Sequence, residues 1–214
     1  MNMEHFDILD CRGEKTGEII ARDEAHRTGA WHGAFHCLIV YARDGRHYAL
    51  FQKRSAAKKI ALGKFDVSVG GHYAAGEDAA IAGPREIREE LGLDVRIADL
   101  LPLGRRVFVY CLKPGVKEYE FQDVYLLPRR IELSGLTPQK EEVDGVIEMD
   151  LEQGIALFAE KTSGIEIPFH ASDGRIEPVF VSPGDFVPCL DNYYIKLLML
   201  TRRYFSGERE LLFI

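Results

Sequence analysis

The chain has 214 residues, of which 46% are hydrophobic and 29% are charged, the balance of a soluble globular protein with a buried core. Its formal net charge of -7 argues against a general binder of nucleic acids or membrane surfaces, because both functions need basic patches. Four cysteines without a CxxC pair signal neither a zinc site nor a disulfide framework, and free thiols of this kind suit a reducing cytoplasm.

The first part of the chain predicts two β-hairpins. Residues 6–21 contain two strand-like runs around a polar turn, and residues 34–54 contain two longer runs around the dipeptide Asp44-Gly45, a strong hairpin signal. The N-terminus lacks the apolar segment of a signal peptide, and no apolar run of the chain is long enough to span a bilayer. We therefore expect a cytoplasmic protein without a membrane anchor.

A strand, a glycine-rich loop and a helix follow the second hairpin. Residues 65–71 (FDVSVGG) predict a strand that runs into the loop, and residues 78–91 predict the helix, with Ile87 and Leu91 on its apolar side. Pro84 lies inside this helical pattern and cannot donate a backbone hydrogen bond. Either the helix kinks there, or it begins near Pro84 as its first turn.

The second half of the chain predicts further strands and two helices. In chain order the predictions are an antiparallel pair at 105–112 and 118–127, a strand at 143–151, a helix at 151–161, a long excursion rich in Gly, Pro and Ser at 162–188, and a last helix at 191–205 with Asp191 as its N-cap. Hairpins interleaved with helices indicate an α/β protein of mixed α+β character, in which helices cover a mixed β-sheet.

The helix at 78–91 gathers acidic side chains. Residues three and four apart share a helix face, so Glu86, Glu89 and Glu90 lie on one side, where like charges repel. A solvated acidic face is the plain interpretation. The alternative is that the carboxylates hold cations, because hard ions such as Mg²⁺ or Mn²⁺ take oxygen ligands.

The surrounding segment decides between these interpretations. Residues 71–93, GHYAAGEDAAIAGPREIREELGL, resemble the signature of the Nudix hydrolases: Gly, five residues, Glu, seven residues, then Arg-Glu-aliphatic-x-Glu-Glu-x-Gly-aliphatic. Seven fixed letters at roughly 7% usage each give a chance of about 10⁻⁸ per starting position. The resemblance implies a Nudix-type α/β/α sandwich with a mixed β-sheet. It also implies Mg²⁺- or Mn²⁺-dependent cleavage of a diphosphate bond in a nucleoside or other organic diphosphate linked to X.

The resemblance also implies roles for the residues of this segment. Glu86 and Glu90 correspond to metal ligands, and Glu89 corresponds to a ligand or a general base. Arg85 is expected to orient a carboxylate. The backbone at Gly70 can approach closely, so that a carbonyl there could complete a coordination sphere.

Other segments resemble the isopentenyl-diphosphate isomerase branch of the same superfamily, over roughly residues 5–150. They are AHRTGAWHGAF at 25–35, QKRSAAKK at 52–59, VGGH at 69–72 and EYEF at 118–121. In that isomerase three histidines and two glutamates hold a divalent ion, and by motif they correspond to His26, His32, His72, Glu118 and Glu120. We assign His32, His72 and Glu120 to the substrate pocket and leave open whether all five bind a second metal.

The isomerase mechanism itself is disfavoured. Its proton chemistry uses a cysteine immediately before the Gly-His pair, where this chain has Gly70. A glycine cannot exchange a proton with carbon, whereas the hydrolytic carboxylates are complete. Hydrolysis is therefore the expected activity, with an isomerase or a non-catalytic ligand-sensing module as the alternatives.

Basic and acidic loop residues complete the predicted site. Arg54 and Lys58 are expected to contact the diphosphate, although a solvated charged loop explains them equally well. Glu141 and Glu142 lie in a loop from which many Nudix hydrolases take a general base, so Glu142 is a catalytic candidate beside Glu89.

The expected organisation is one domain with additions at both ends. An N-terminal β-hairpin extension at 1–30 packs on a Nudix hydrolase domain at 31–160, and a C-terminal extension at 161–214 ends in a helix and belongs to the same domain. The expected partner is a small-molecule diphosphate, with neither nucleic acid nor membrane. A homodimer is left open, because the C-terminal excursion could shape either the pocket or a dimer interface.

Overall fold

The computed structural model describes residues 4–58, 60–113, 115–210 and 212–214, in which strands and helices alternate along the chain. The strands are β1 (His5–Leu9), β2 (Lys15–Ala21), β3 (His32–Arg43), β4 (Arg46–Arg54), β5 (Phe65–Val67), β6 (Val69–His72), β7 (Leu101–Lys113), β8 (Val116–Pro128), β9 (Val143–Asp150), β10 (Ile165–Ala171) and β11 (Ile176–Val181). The helices are α1 (Arg22–Thr28), α2 (Ala79–Leu91), α3 (Leu151–Phe158) and α4 (Tyr193–Phe205).

Most of the strands belong to one mixed sheet. Its main path runs β11-β10-β9-β4-β3-β8-β7, with β5 paired to β4 and β6 paired to β3, while β1 and β2 form a separate antiparallel ribbon. β3 and β8 are parallel, with His32 opposite Glu120, and the other pairs in the sheet are antiparallel. The predicted mixed sheet is therefore confirmed, and its parallel pair brings the predicted residues of two distant segments side by side.

Helices cover both faces of this sheet. Side chains alternate along β3, so that Phe35 and Ile39 pack in one core with Ile87 of α2. Leu38 and Val40 pack on the opposite face, in a second core that includes residues of α3 and α4. A strand covered on both sides needs a continuous apolar run, which explains the apolar residues 37–42 of β3. The layers form the predicted α/β/α sandwich.

Helix α2 passes through Pro84 without ending there. The Asp78 carboxylate caps it by accepting from the backbone N–H groups of Ala80 at 2.9 Å and Ile81 at 3.2 Å, so Pro84 lies in its interior. The helix therefore does not begin at Pro84. A Cβ at Gly83 would come within 2.6 Å of the Phe35 ring, so glycine permits the close packing of α2 on the sheet.

The predicted strand at 65–71 is two strands. β5 pairs with β4, and after Ser68 the chain continues as β6, which pairs with β3. The Ser68 hydroxyl lies between these neighbours, donating to the Leu50 carbonyl and accepting from the Ile39 N–H. The hydrophobic pattern does not reveal this crossing from one strand to another, because burial continues from β5 through Ser68 to Val69, the first residue of β6.

The predicted excursion at 162–188 is wrong, because it contains the hairpin β10–β11, which lengthens the sheet beyond β9. Pro168 and Pro178 lie opposite each other in this hairpin at the edge of the sheet, where a missing N–H is tolerated. Ile167 and Phe169 alternate with exposed neighbours, as in a half-buried strand. The prolines obscured this alternation in the sequence.

One prediction about a helix end is wrong, and one helix was not predicted. Asp191 does not cap α4: its N-cap is Asn192, while the Asp191 carboxylate binds Arg106. Helix α1 was not predicted, because seven residues are too few to establish a helical period.

Among the helices of the described residues, none has the length and hydrophobicity needed to span a membrane. The boundaries at 1–30, 31–160 and 161–214 stay predictions, as does a homodimer.

Candidate active site

Arg85 holds the acids of helix α2 and of the preceding loop together in what we call the box cluster: Glu77, Arg85, Glu86, Glu89 and Glu90. Its Nε and Nη2 donate to the two Glu77 oxygens at 2.9 and 2.7 Å, while Nη1 donates to Glu86 at 2.8 Å and to Glu89 at 3.0 Å. Burial would raise the pKa of Glu77, but Arg85 and the Ala74 N–H hold it below its usual range. One guanidinium thus fixes three carboxylates.

Glu90 is the most buried acid of this cluster. Its Oε2 accepts from the Gly70 N–H at 3.0 Å and from the Gln52 amide at 2.9 Å, and only 2% of the residue is exposed. Burial and the nearby Glu86 raise the pKa of Glu90 to about 7. A Cβ at Gly71 would overlap the Glu86 carboxylate, so glycine at this position lets that carboxylate lie against the backbone of β6. The coordinating role of the Gly70 carbonyl stays a prediction.

The three glutamates of α2 do not share one environment. Glu86 and Glu90 are buried against β6, and burial raises the pKa of Glu86 as well. The Glu89 side chain is 46% exposed, with Arg85 as its ion-pair partner. Two carboxylates therefore face the protein interior, and the third stands at the solvent boundary.

A second set of side chains, the histidine cluster, comprises His26, His32, His72, Glu118 and Glu120. It joins α1, β3, β6 and β8 in one place. Four of its members, all except Glu120, each offer a nitrogen or oxygen atom, and these atoms lie within 4.8 Å of one another. Glu120 is held beside them, accepting from Gln122 at 2.6 Å and pairing with His72 at 3.2 Å.

The histidine cluster fits a divalent cation. His26 Nε2, His32 Nε2 and Glu118 Oε1 are buried and have no hydrogen-bond partner among the described residues. Unpaired buried polar atoms are costly, and three that converge can serve as metal ligands. His32 Nδ1 contacts the Ala30 carbonyl at 2.9 Å, which leaves Nε2 as the nitrogen turned toward the cluster.

The protonation of the cluster follows from its burial and its acids. Burial lowers the pKa of His26 to about 3 and that of His32 to about 4, so both are neutral ligands near neutral pH. Burial would also lower the pKa of His72, but hydrogen bonds to Glu118 and Glu120 raise it to about 9. A cation would have to displace the proton that His72 carries between these two acids.

The N-terminal ribbon contributes the ring against which the histidines pack. Phe6 is fully buried, and its ring centroid lies 4.8 Å from that of His32, 4.9 Å from that of His72 and 6.0 Å from that of His26. The backbone of the ribbon also joins the loop before α2, where the Ala75 N–H donates to the His5 carbonyl at 2.8 Å. Residues far from the Nudix-like segment thus position the histidines.

A pocket of about 80 Å³ opens beside both clusters, with room for several water molecules. Gly70, His72 and Glu120 line it together with Arg54, so four predicted site residues meet there. Arg54 Nε has no hydrogen-bond partner among the described residues, and its Nη1 lies 3.8 Å from Asp66. His32 lies behind the pocket, within the histidine cluster.

Lys58 and Glu142 form an ion pair with each other. The backbone supports this contact, since the Ser55 N–H donates to the Glu142 carbonyl at 2.9 Å. Burial lowers the pKa of Lys58, while the charge of Glu90 opposes this shift. The two loops that carry these candidates are therefore joined next to the box cluster.

Several residues of the site were not predicted from the sequence. Arg22 lines the pocket from the start of α1, the helix that was not predicted. Gln52 is 1% exposed and binds Glu90, and a polar residue within the apolar run of β4 was the available signal for it. His36 and Arg106 also line the pocket, although nothing in the sequence distinguishes them from other strand residues.

Known proteins resemble this chain in sequence and in fold. The family model of the NUDIX domain matches residues 30–169. An uncharacterized Nudix hydrolase of Clostridium acetobutylicum is 30% identical over 198 residues, 91% of this chain and 95% of that protein. An isopentenyl-diphosphate Delta-isomerase of Aliivibrio fischeri is 28% identical over 142 residues, 66% of this chain and 77% of that protein. In fold, the crystal structure of DR0079 from Deinococcus radiodurans has a TM-score of 0.55 at 24% identity, covering 73% of this chain and 90% of that one.

Proposed function

The chain belongs to the Nudix family of hydrolases, and on that premise we propose that it cleaves a diphosphate bond in an organic diphosphate linked to X, with Mg²⁺ or Mn²⁺. The observation that carries the proposal is the complete box cluster. Glu86 and Glu90 lie buried against the Gly70-Gly71 backbone, and Arg85 fixes the neighbouring acids. A buried acid pair with raised pKa values has no purpose in packing and suits a cation site.

Glu86 and Glu90 would hold the cation of the box cluster, with Arg85 keeping the Glu86 carboxylate in place. When bound, the cation would neutralise phosphoryl oxygens and lower the pKa of a bound water. Gln52 and the Gly70 N–H bind one oxygen of Glu90, which leaves the other oxygen for coordination. The histidine cluster would hold a second cation, for which its unpaired nitrogen and oxygen atoms are the support.

Basic residues on the pocket wall would bind the diphosphate. Arg22 and Arg54 line the pocket, and Lys58 lies beside the box cluster. Arginine suits this role, because its fork of N–H donors matches the oxygens of a phosphate. The unpaired Arg54 Nε gives this residue the best support among the three.

Two glutamates are candidates for the general base. Both are in ion pairs, Glu89 with Arg85 and Glu142 with Lys58, but the Glu89 side chain is 46% exposed and that of Glu142 34%. We propose Glu89 for this role, because a base must reach a water molecule and Arg85 engages only one of its two oxygens. The pH profiles of Glu89→Gln and Glu142→Gln would separate the two.

One observation favours the isomerase alternative. Cys189 lines the same pocket, so a thiol is present although the position that precedes Gly71 is a glycine. Cys189 comes from the segment before α4 and not from β6, so it does not occupy the position of the isomerase cysteine. An isomerase would convert isopentenyl diphosphate without releasing phosphate, which makes the two activities separable in one assay.

The test is a phosphate-release screen with Mg²⁺ and with Mn²⁺. Nucleotide sugars, dinucleotides, ADP-ribose, nucleoside di- and triphosphates and prenyl diphosphates are incubated with the protein, and products are identified by mass spectrometry. Release of a phosphate-containing fragment from any of them supports the hydrolase. Isomerised isopentenyl diphosphate without cleavage would favour the alternative enzyme, and binding without turnover would favour a ligand sensor.

A further inference from the structure

Several residues that line the pocket have no role in the proposed hydrolysis. They include His36 of β3, together with Val187, Pro188, Cys189 and Tyr194 from the C-terminal part of the chain. His36 follows the histidine cluster along β3 but is not part of it, and it lies opposite Gly70 in the pairing of β3 with β6.

The C-terminal segment fixes the His36 ring. Its Nδ1 lies 3.1 Å from the hydroxyl of Tyr193, the first residue of α4, and Tyr193 is almost completely buried. The Arg106 guanidinium stacks on the Tyr193 ring at 3.8 Å and binds both Asp191 oxygens, at 2.8 and 2.7 Å. A ring supported by such a chain of contacts has one orientation, as binding residues require.

The other nitrogen of His36 is the one available to the pocket, which His36 lines although the residue is only 8% exposed. Nε2 makes no hydrogen bond within the described residues, and a Cβ placed on Gly70 would lie 3.4 Å from it. The absence of a side chain at Gly70 therefore leaves room beside Nε2.

We propose that His36 Nε2 makes a hydrogen bond to a hydroxyl group of X, the organic part of the substrate, and that the C-terminal segment 187–194 is the specificity element which holds it. The inference rests on the proposed function, since it takes this pocket as the place of the diphosphate compound. It assigns the substrate to the class of diphosphates with a hydroxyl-bearing group, such as a sugar, beside the diphosphate.

The chemistry of imidazole supports a hydroxyl as the partner. A neutral histidine presents one donor or one acceptor at Nε2, and the Tyr193 hydroxyl can take either role toward Nδ1. A hydroxyl can donate as well as accept, so it complements both tautomers of His36. A hydrocarbon in the same place would displace water from this nitrogen without replacing its hydrogen bond, which is unfavourable.

The test compares His36→Phe with the matched variant His47→Phe. His47 stacks face to face on Phe205 at 4.1 Å, and a phenylalanine at this position would keep that ring contact. His47 does not line the pocket, so its replacement should not affect the substrate. We expect His36→Phe to lower kcat/KM about five- to tenfold for hydroxyl-bearing diphosphates such as ADP-ribose and UDP-glucose, mainly through KM, because one neutral hydrogen bond is lost. For isopentenyl diphosphate, which has no hydroxyl, and for His47→Phe we expect no change.

A spectroscopic measurement gives a result that does not depend on turnover. Two-bond proton-nitrogen spectra of histidine-labelled protein, assigned with His36→Phe, are recorded with Mg²⁺ during titration with ADP-ribose and with UDP-glucose. We expect the His36 Nε2 resonance to move with at least one of them. In Tyr193→Phe, which removes only the hydroxyl, we expect the tautomer balance of His36 to change and kcat/KM to fall about threefold.

The outcomes separate this inference from the function on which it rests. If no diphosphate is cleaved but the Nε2 resonance moves, the hydrolase proposal fails and the binding role of His36 stands. If hydroxyl-bearing diphosphates are cleaved equally by wild type and His36→Phe, and the resonance stays in place, the inference is overturned while the hydrolase stands. If there is neither turnover nor a shift, both fall.

Discussion

The box cluster and the histidine cluster meet at β6, where Gly71 packs against Glu86 and His72 belongs to the second cluster, yet they are built differently. Each carboxylate of the box cluster has at least one hydrogen-bond partner, from Arg85, Gln52 or a backbone N–H group. The histidine cluster leaves buried atoms without partners among the described residues. The box cluster thus consists of carboxylates that other protein groups hold in place, whereas the histidine cluster presents ligand atoms that have no hydrogen bond to the described part of the chain.

The largest expected effect is that of a substitution at Glu90, in the box cluster. We expect Glu90→Gln to lower kcat/KM by about 10²- to 10³-fold, the scale seen when one electrostatic stabiliser of a transition state is removed. The amide oxygen can still accept from Gly70 and Gln52, so the fold should persist, and circular dichroism with a thermal melt checks this. Glu132→Gln, on an exposed side chain, serves as the control. Rates like those of wild type in Glu90→Gln would remove the support for the box cluster as the reactive centre.

The histidine cluster is tested by its metal content. His26→Ala removes a nitrogen that has no hydrogen-bond partner among the described residues, and its neighbour Glu118, 3.7 Å away, still faces His72. We expect the number of tightly bound Mn²⁺ ions per chain, measured by electron paramagnetic resonance and calorimetry, to fall by one. The affinity of the box cluster for Mn²⁺ should stay the same. An unchanged stoichiometry, with His47→Ala as the reference, would mean that the unpaired atoms do not bind a cation.

Arg85 sharpens the contrast, because it acts through the carboxylates that it holds. We expect Arg85→Gln to lower Mg²⁺ affinity about 10- to 100-fold, as is usual when a group that orients metal ligands is lost. The same variant should leave the histidine cluster loaded. Arg85→Lys cannot make the fork to Glu77, so we expect it to recover only part of the affinity. Full recovery by lysine would indicate that charge alone matters at this position.

Without divalent cations, Glu90 of the box cluster and His26 of the histidine cluster should give stability opposite dependences on pH. The folded protein keeps the Glu90 proton up to a pKa of about 7, whereas the unfolded chain loses it above 4.5, so this contribution falls as pH rises between these values. Folded His26 is neutral down to a pKa of about 3, whereas the unfolded chain is protonated below 6.5, so its contribution rises with pH between about 3 and 6.5.

Urea unfolding in EDTA between pH 4.5 and 6.5 would resolve these two contributions. We expect Glu90→Gln to make the free energy of unfolding rise more steeply with pH than in wild type, and His26→Ala to make it rise less, each by on the order of 1 kcal/mol over the range. Parallel curves for wild type and Glu90→Gln would show that this carboxyl is not buried as described.

The sequence predicted the box cluster because its members lie within fourteen residues of one another and one helix arranges them. It predicted the members of the histidine cluster through resemblance, but their convergence depends on the parallel pairing of β3 with β8. Arg22 was missed because it begins a short helix, and His36 was missed because its role depends on Tyr193, 157 residues away along the chain. The hairpin β10–β11 was missed because its prolines conceal the alternation of a strand. Local chemistry is visible in a sequence, and contacts between distant segments require the fold.

The buried Phe6 ring has a practical consequence for handling the protein. Because this single phenyl group touches three imidazoles, damage to the first strand should reach the ligands directly and loosen their grip on a cation. Proteolytic trimming at the amino end, or a fusion partner that displaces β1, would then lower the affinity of the histidine cluster for a cation. Preparations that differ only in their first residues should therefore differ in the number of cations bound per chain.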